Sequence, residues 1–238
     1  MESILSLDHI YYSYHDKNGE TPVINDLSFE IKPGSFTSIV GPSGCGKSTL
    51  LSLLCDLIKP EAGTIYIRPP ENNTDSRMGY MLQKDNLFEW RSIYKNVMLG
   101  LEINNKKTPE NIAYVNHLLE QYDLAEFKSA RPSQLSGGMR QRVMIAVALA
   151  CSPKVLIADE PTTALDVTIQ ASILKLLKEL QETLGITVLF IANNMSLVSA
   201  FCDRIGILHE GRIIEEGETE RIIRAPEQEL SLIHISEP

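Results

Sequence analysis

The sequence predicts an α/β fold whose core is a mostly parallel β-sheet. Segments with strand character alternate with segments of helical periodicity, as in sheets joined by crossover helices. Two short and almost wholly apolar segments, Val155–Ala158 and Ile186–Ala192, have the composition of strands buried on both faces. A glycine-rich segment, Gly41–Thr49, connects a strand-like run at Phe36–Val40 to a helix-like run at Leu50–Leu54.

The first part of the chain predicts an N-terminal antiparallel β subdomain. Leu7–Tyr14 alternates in polarity and is rich in aromatic residues, which indicates a strand. After a turn, Val23–Ile31 returns as a second strand that ends at Lys32-Pro33-Gly34. Thr64–Ile67 is a further short strand, and Arg68–Arg77 is typical of a surface loop because it is polar and contains two prolines.

The middle of the chain predicts a helical subdomain inserted into the sheet. Met78–Leu82 indicates a strand that ends at Gln83, and the character of the sequence then changes. Thr108-Pro109-Glu110 marks a helix start with proline at the first helical position. The apolar face of that helix comprises Ile112, Val115, Leu118, Leu119 and Tyr122.

The second half of the chain returns to alternating strands and helices. Its first helix has no polar face and is expected to be buried, whereas its second is amphipathic and ends at Gly185. In chain order, the predicted elements are a helix at Arg140–Ala150, a strand at Val155–Ala158, a helix from Ile169 to Leu184, a strand at Ile186–Ala192, a short helix at Ser196–Cys202 and a hairpin with strands at Ile205–Leu208 and Arg212–Glu215.

We therefore expect a single domain over residues 1–229. Residues 1–84 and 136–229 would form its core, and residues 85–135 would form the helical subdomain. Residues 230–238 do not follow the pattern and resemble a translated sequencing adapter that was read through in frame. We expect this tail to be non-native and the natural C-terminus to be missing.

Composition narrows the classes of function. The chain has 238 residues and a net charge of −9, which does not favour a duplex nucleic-acid track. Its four cysteines have no metal-binding spacing and are expected to be reduced cytosolic thiols. No apolar run approaches the roughly 18 residues that a membrane span requires. The composition predicts a soluble chain that can dock on a membrane protein.

The first chemical signal is the segment Gly41–Thr49, called the phosphate loop below. It fits the pattern G-x-x-x-x-G-K-[ST]. Glycines let backbone N–H groups converge on phosphate oxygens, Lys47 adds a positive charge, and the Ser48 hydroxyl is a ligand for Mg²⁺. The nucleotide-binding residues predicted here are Gly41, Pro42, Ser43, Gly44, Cys45, Gly46, Lys47, Ser48 and Thr49. The loop predicts binding of a nucleoside triphosphate.

Further candidate site residues are spread along the chain. Asp159 ends a buried strand and can hold Mg²⁺ through water, and Glu160 can serve as general base toward the attacking water. Ser136-Gly137-Gly138 at a helix N-terminus is a second, weaker anion-binding signal. Tyr14 offers a ring for stacking on adenine, although a tyrosine at a sheet edge gives the same pattern.

The order and separation of these motifs resemble those of the ATP-binding-cassette (ABC) ATPases, nearly to Pro226. The motifs are Gly41–Thr49, Gln83, Leu135–Met139, Asp159-Glu160-Pro161 and Ala164-Leu165-Asp166. The resemblance implies a P-loop NTPase (RecA-like) core with ATP and Mg²⁺ as cofactors. It also implies an ATPase subunit of a membrane importer, in which two subunits close on two ATP molecules.

The same resemblance implies roles for individual residues. Tyr14 would stack on adenine, and Gln83 would belong to both the metal and the catalytic set, linking Mg²⁺ to the helical subdomain. Ser136, Gly137 and Gly138 would contact the ATP bound by the partner subunit, and Asp166 would lie in a loop at the dimer interface. Permease subunits and a solute-binding protein are the other implied partners, and nucleic acid is not expected as one.

One position departs from the family pattern. Where the family has histidine after the strand at Ile186–Ala192, this chain has Asn193. Asparagine can hydrogen-bond a phosphate oxygen but cannot carry the charge of an imidazolium. We expect ATP binding to persist and hydrolysis to be slowed. Alternatives are that Glu160 alone suffices, or that the chain is a hydrolysis-impaired regulatory cassette paired with an active homologue.

The two halves of the chain suggest different cargo. Residues 80–91 resemble importers of nitrate, sulfonate or taurine, and residues 159–170 resemble oligopeptide or dipeptide importers. The cargo class is therefore left open. The dimer of ATPase subunits is either a homodimer or a heterodimer, and the resemblance implies a position at the cytoplasmic face of a bacterial membrane. Trp90 lies where the family contacts its membrane subunit, although a buried core tryptophan is an equally good reading of the sequence.

Overall fold

The structure is a computed structural model that describes residues 3–17, 19–68, 78–162, 165–193, 195 and 199–227. It divides into two compact units. The first unit combines Met1–Asn73 with Gln181–Pro238, and the second is Thr74–Leu180. The subdomain boundaries at residues 85 and 135 stay a prediction, and each unit is described by itself below.

The first unit contains a three-stranded antiparallel sheet. Its strands are β1 (Leu5–Asp16), β2 (Gly19–Ile31) and β4 (Ala62–Ile67), in the order β2-β1-β4. The alternation of buried and exposed positions along β1 and β2 follows the period of two that the sequence shows. The predicted N-terminal antiparallel subdomain is confirmed. Strand β1 extends two residues beyond each predicted end, and β2 begins four residues before Val23 and ends at Ile31 as predicted.

The first unit also contains parallel strands. Strand β3 (Phe36–Val40) pairs in parallel with β7 (Thr187–Ala192) and β8 (Arg204–His209). All side chains of β3 and β7 are buried, as expected for central strands. An antiparallel strand, β9 (Arg212–Glu218), completes the predicted hairpin with β8. Helix α1 (Lys47–Leu54) follows the phosphate loop, and helix α7 (Thr219–Arg224) follows β9.

The second unit contains a parallel strand pair and most of the helices. Strands β5 (Met78–Met81) and β6 (Val155–Asp159) pair in parallel. In chain order, the helices between and after them are α2 (Ile93–Val97), α3 (Leu99–Ile103), α4 (Pro109–Gln121), α5 (Gly137–Leu149) and α6 (Val167–Leu184), and two 3₁₀ turns lie at Ala125–Phe127 and Pro132–Gln134. The part of α6 from Gln181 onward belongs to the first unit. The α/β fold class is thereby confirmed.

Local sequence signals account for the helix ends. The Thr108 hydroxyl accepts a hydrogen bond from the Asn111 N–H, and Pro109 occupies the first turn of α4, as predicted. Ile173 and Leu177 are buried residues on the apolar face of helix α6. The helix ends before Gly185, whose φ of 62° lies in the left-handed region. Because α2 and α3 have only five residues each, they are too short for the sequence to show a helical periodicity that would predict them.

Three sequence predictions fall wholly or partly outside the described residues. They concern the loop at Arg68–Arg77, the short helix at Ser196–Cys202 and the tail at residues 230–238. Among the helices that the structure does describe, none combines the length and the hydropathy needed to cross a bilayer.

Candidate functional site

The phosphate loop has the backbone geometry that its glycines allow. Gly44 and Gly46 have φ angles of 83° and 111°, and Gly46 is the N-cap of α1. A Cβ atom on Gly41 would lie 2.3 Å from the carbonyl oxygen of Leu208, so only glycine fits there. The first turn of α1 therefore follows directly on a tight glycine turn, and a helix N-terminus in this position suits an anion.

Lys47 is folded onto the loop. Its ammonium group donates hydrogen bonds to the carbonyl oxygens of Gly41, at 2.7 Å, and Pro42, at 2.9 Å. The side chain is only 8% exposed, whereas Ser43, Gly44 and Ser48 are exposed at the surface of the loop. This arrangement places one positive charge and one accessible hydroxyl at the N-terminus of α1.

Cys45 connects the phosphate loop to a neighbouring hairpin through a backbone hydrogen bond. Its carbonyl oxygen accepts a hydrogen bond of 3.0 Å from the Gly211 N–H, in the turn of the β8–β9 hairpin. Burial raises the pKa of the Cys45 thiol, although Lys47 opposes this shift. The thiol is therefore mostly protonated at neutral pH, so alkylation of this cysteine would be slow.

Tyr14 lies beside α1. Its hydroxyl is 3.3 Å from the Thr49 Oγ1 atom, and its ring is edge-on to Tyr12 at a centroid distance of 5.1 Å. The Tyr14 residue is 47% exposed, so one part of the ring stays accessible while its hydroxyl is anchored to the helix. This position is compatible with an adenine platform, which stays a prediction.

Asn193 follows the strand next to the phosphate loop. In the parallel pairing of β3 and β7, Val40 is opposite Ala192, so Gly41 and Asn193 leave the sheet at the same edge. Asn193 is exposed. The first unit thus contains three of the predicted features. The phosphate loop and Asn193 follow the carboxyl ends of adjacent parallel strands, and Tyr14 contacts the helix that follows the loop.

The second unit holds the two predicted carboxylates at the end of β6. The Tyr80 hydroxyl donates to Asp159 Oδ2 at 3.2 Å, and the Gln83 Nε2 group donates to Glu160 Oε2 at 3.1 Å. Glu160 has a φ of 43°, which is uncommon for a residue other than glycine. Such backbone conformations occur often at functional sites, where the surrounding structure maintains them.

The segment Ser136-Gly137-Gly138, called the signature below, lies at the start of a helix in the second unit. Ser136 is the N-cap of α5, and its hydroxyl accepts a hydrogen bond of 3.3 Å from the Met139 N–H. Ser136 and Gly137 are exposed. A Cβ atom on Gly138 would lie 3.1 Å from a methyl group of Ile169, so the small residue allows α5 and α6 to approach.

Sequence reasoning missed two contacts in the second unit. One is the hydrogen bond from Tyr80 to Asp159, and the other is an ion pair in which Arg140 Nε lies 3.0 Å from Asp85 Oδ2. The Asp85–Arg140 pair joins the segment after Gln83 to the first turn of α5. No local pattern marks either pair, because both depend on strand register or helix packing.

Comparison with known proteins identifies the class of protein to which the chain belongs. Residues 24–163 match the family described as ABC transporter. The chain is 36% identical to a methionine import ATP-binding protein of Haemophilus influenzae (strain 86-028NP), over 99% of this chain and 72% of that protein. It is 38% identical to an uncharacterized ABC transporter ATP-binding protein of Bacillus subtilis (strain 168), over 87% of this chain and 83% of that protein.

Two solved structures are similar to this chain over most of its length. The cbiO1 protein of Clostridium perfringens, part of an ABC transporter complex, has a TM-score of 0.83 at 32% identity and covers 95% of this chain and 93% of its own. A dimeric post-hydrolysis state of the cassette MJ0796, bound to ADP and Pi, has a TM-score of 0.78 at 32% identity over 90% of this chain and 98% of its own.

The fold and the motifs define an ATP-binding cassette, and the chain belongs to the ABC transporter family. More particularly, it is the ATP-binding and ATP-hydrolysing subunit of an importer-type ABC transporter. Such subunits dimerise and act with permease components. The predicted ATPase function is confirmed, and the comparisons give no support to the alternative of an impaired regulatory subunit.

Proposed function

We propose that this chain hydrolyses magnesium ATP at a site completed by a second subunit, and that closure of the pair drives import. The observation that carries the proposal is the placement of Glu160, whose carboxylate accepts a hydrogen bond from Gln83 next to Asp159. A carboxylate in this position, at the end of a buried strand, supports the role of Glu160 as general base beside the predicted magnesium-binding residue.

The candidate magnesium-binding residues fit a hard cation. Ser48 offers an exposed hydroxyl, Asp159 offers a carboxylate, and Gln83 offers an amide oxygen. Oxygen ligands of this kind suit Mg²⁺, which commonly binds one or two protein groups, waters and substrate phosphates. When bound, Mg²⁺ neutralises the charge that develops on the phosphates.

The residues of this chain supply the other steps. The phosphate loop N–H groups and Lys47 bind and orient the phosphates. Glu160 accepts the proton of the attacking water, and the Gln83 amide fixes the direction of that carboxylate. The exposed Ser136 and Gly137 supply backbone N–H groups to the ATP held by the other subunit.

Trp90 is the proposed contact with the permease. The side chain is not part of the core, because the residue is 71% exposed and packs on Phe88 at a centroid distance of 4.8 Å. A large exposed aromatic side chain is a common anchor in protein interfaces. We place the chain at the cytoplasmic face of the membrane, with a solute-binding protein as a further component.

The cargo is proposed to be a small solute. The names of several relatives add methionine to the candidates, beside nitrate, sulfonate or taurine and peptides.

The role of Asn193 is tested by the steady-state ATPase rate of the wild type and of Asn193→His, each with Mg²⁺ and with EDTA. We expect hydrolysis to require Mg²⁺ and Asn193→His to be about tenfold faster, because an imidazole can hold or carry charge near the transferred phosphate. Asn25→His makes the same substitution on β2, as a control, and is expected to leave the ATPase rate unchanged. Hydrolysis that persists in EDTA contradicts the magnesium-dependent mechanism, and an unchanged rate for Asn193→His shows that Asn193 does not limit turnover.

A further inference from the structure

Tyr80 contacts the candidate magnesium-binding carboxylate from the neighbouring strand. Its hydroxyl donates a hydrogen bond of 3.2 Å to Asp159 Oδ2. Both residues belong to the second unit, and both are partly buried. The O···O distance is longer than that of a strong O–H···O⁻ hydrogen bond, so the contact favours one orientation of the carboxylate rather than contributing a large bond energy.

The contact follows from the register of the two strands. In the parallel pairing of β5 and β6, Tyr80 is opposite Ile157. Since side chains alternate between faces, Asp159 lies two residues further along β6 on the same face as Ile157. A tyrosine is long enough to reach this diagonal neighbour, as aromatic side chains do between paired strands.

The position of β5 is itself constrained by close packing. A Cβ atom on Gly79 would lie 2.4 Å from the carbonyl oxygen of Ala148 and 3.0 Å from the Pro153 Cγ atom. The backbone of β5 therefore lies directly against the end of α5 at the residue before Tyr80. This packing fixes the backbone position from which the Tyr80 side chain extends to Asp159.

Tyr80 and Gln83 together form a pair of donors from one short segment. Tyr80 donates to Asp159, and Gln83 donates to Glu160, so each of the two adjacent carboxylates is oriented by a side chain of residues 80–83. The phenol has no role in the ATPase chemistry described above. Partners that orient metal-binding groups have large effects on metal affinity even though they do not touch the metal.

We propose that Tyr80 is a positioning residue for the magnesium site, which acts by fixing the orientation of the Asp159 carboxylate. This inference rests on the proposed role of Asp159 in holding Mg²⁺. It predicts that loss of the Tyr80 hydroxyl weakens metal binding to the nucleotide complex without weakening the binding of metal-free nucleotide.

The experiment measures Mn²⁺ binding, as a paramagnetic substitute for Mg²⁺, by electron paramagnetic resonance on the full chain with adenosine β,γ-imido triphosphate. In Tyr80→Phe, we expect the Mn²⁺ dissociation constant to rise roughly tenfold. Nucleotide affinity in EDTA and the melting temperature should match those of the wild type. Tyr66→Phe removes the same hydroxyl from an exposed residue of β4 and should change none of these values.

A double-mutant cycle with Asp159→Asn distinguishes a failure of the proposal for Tyr80 from a failure of the proposed magnesium role of Asp159. If Tyr80 acts through Asp159, adding Tyr80→Phe to Asp159→Asn weakens Mn²⁺ binding no further. A Tyr80→Phe value within twofold of the wild type, or an equal loss in both backgrounds, overturns the proposal for Tyr80. If Asp159→Asn itself binds Mn²⁺ as the wild type does, the proposed magnesium role of Asp159 has failed instead.

Discussion

A Lys47→Ala variant is expected to bind ATP about a hundredfold more weakly, which corresponds to about 3 kcal/mol. The substitution removes the only lysine of the phosphate loop, at the N-terminus of α1. The two loop carbonyls that now accept hydrogen bonds from its ammonium group, Gly41 and Pro42, also lose that donor. Titration of a fluorescent ATP analogue measures the change.

The matched control for this substitution is Lys59→Ala. Lys59 is exposed and forms an ion pair with Asp56, so its removal should leave ATP affinity within twofold of the wild type. Wild-type affinity in Lys47→Ala, with a melting temperature that shows a folded chain, would mean that the triphosphate does not bind at the phosphate loop.

A Glu160→Gln variant is expected to lose hydrolysis and keep binding. The rate of ATP turnover should fall by roughly 10²- to 10⁴-fold, because the amide cannot accept the proton of the attacking water. The amide oxygen of the new side chain can still accept the hydrogen bond from Gln83, so the site should keep its shape. Single-turnover phosphate release measures the rate, and equilibrium titration measures ATP affinity.

Glu210→Gln is the control for backbone conformation. Glu210 also has a positive φ, of 45°, and lies in the turn between β8 and β9. The same change at a similar backbone conformation should leave hydrolysis unaffected, so the loss in Glu160→Gln does not follow from replacing any glutamate that has a positive φ. If Glu160→Gln retains more than a tenth of the wild-type rate, Glu160 is not the general base.

Local patterns predicted much of the fold. Strand β3 has the predicted bounds, because a short buried strand is followed directly by a glycine-rich turn. The start of α4 was predicted from Thr108 and Pro109, whose effects are confined to one helical turn. Helix α1 begins at Lys47, three residues before the apolar run at Leu50, because polar residues at the start of a helix do not carry its periodicity.

The contacts around the carboxylates required the folded structure. Tyr80 and Asp159 are far apart in sequence, and only the register of β5 and β6 places them on one face. The left-handed conformation of Glu160 is also invisible in the sequence, since glutamate rarely adopts it. Trp90 fitted either a core or an exposed position in the sequence, and its exposure became evident only in the folded structure.

Each ATP site is proposed to be shared between two subunits, and mixing two inactive variants tests this sharing most directly. Lys47→Ala removes the phosphate-loop charge, and Gly137→Asp places a negative charge in the signature. An acidic residue is tolerated in the first turn of α5, where a Cβ atom would lie 3.4 Å from Leu165. Each variant alone should be nearly inactive in ATP hydrolysis.

A mixed dimer of these variants contains one site with an intact phosphate loop from one chain and an intact signature from the other. An equimolar mixture is therefore predicted to recover roughly a quarter of the wild-type rate of ATP hydrolysis, since half of the dimers are mixed and each has one intact site. A mixture that stays as inactive as the separate variants, although the mixed dimers are shown to form, would contradict the shared site.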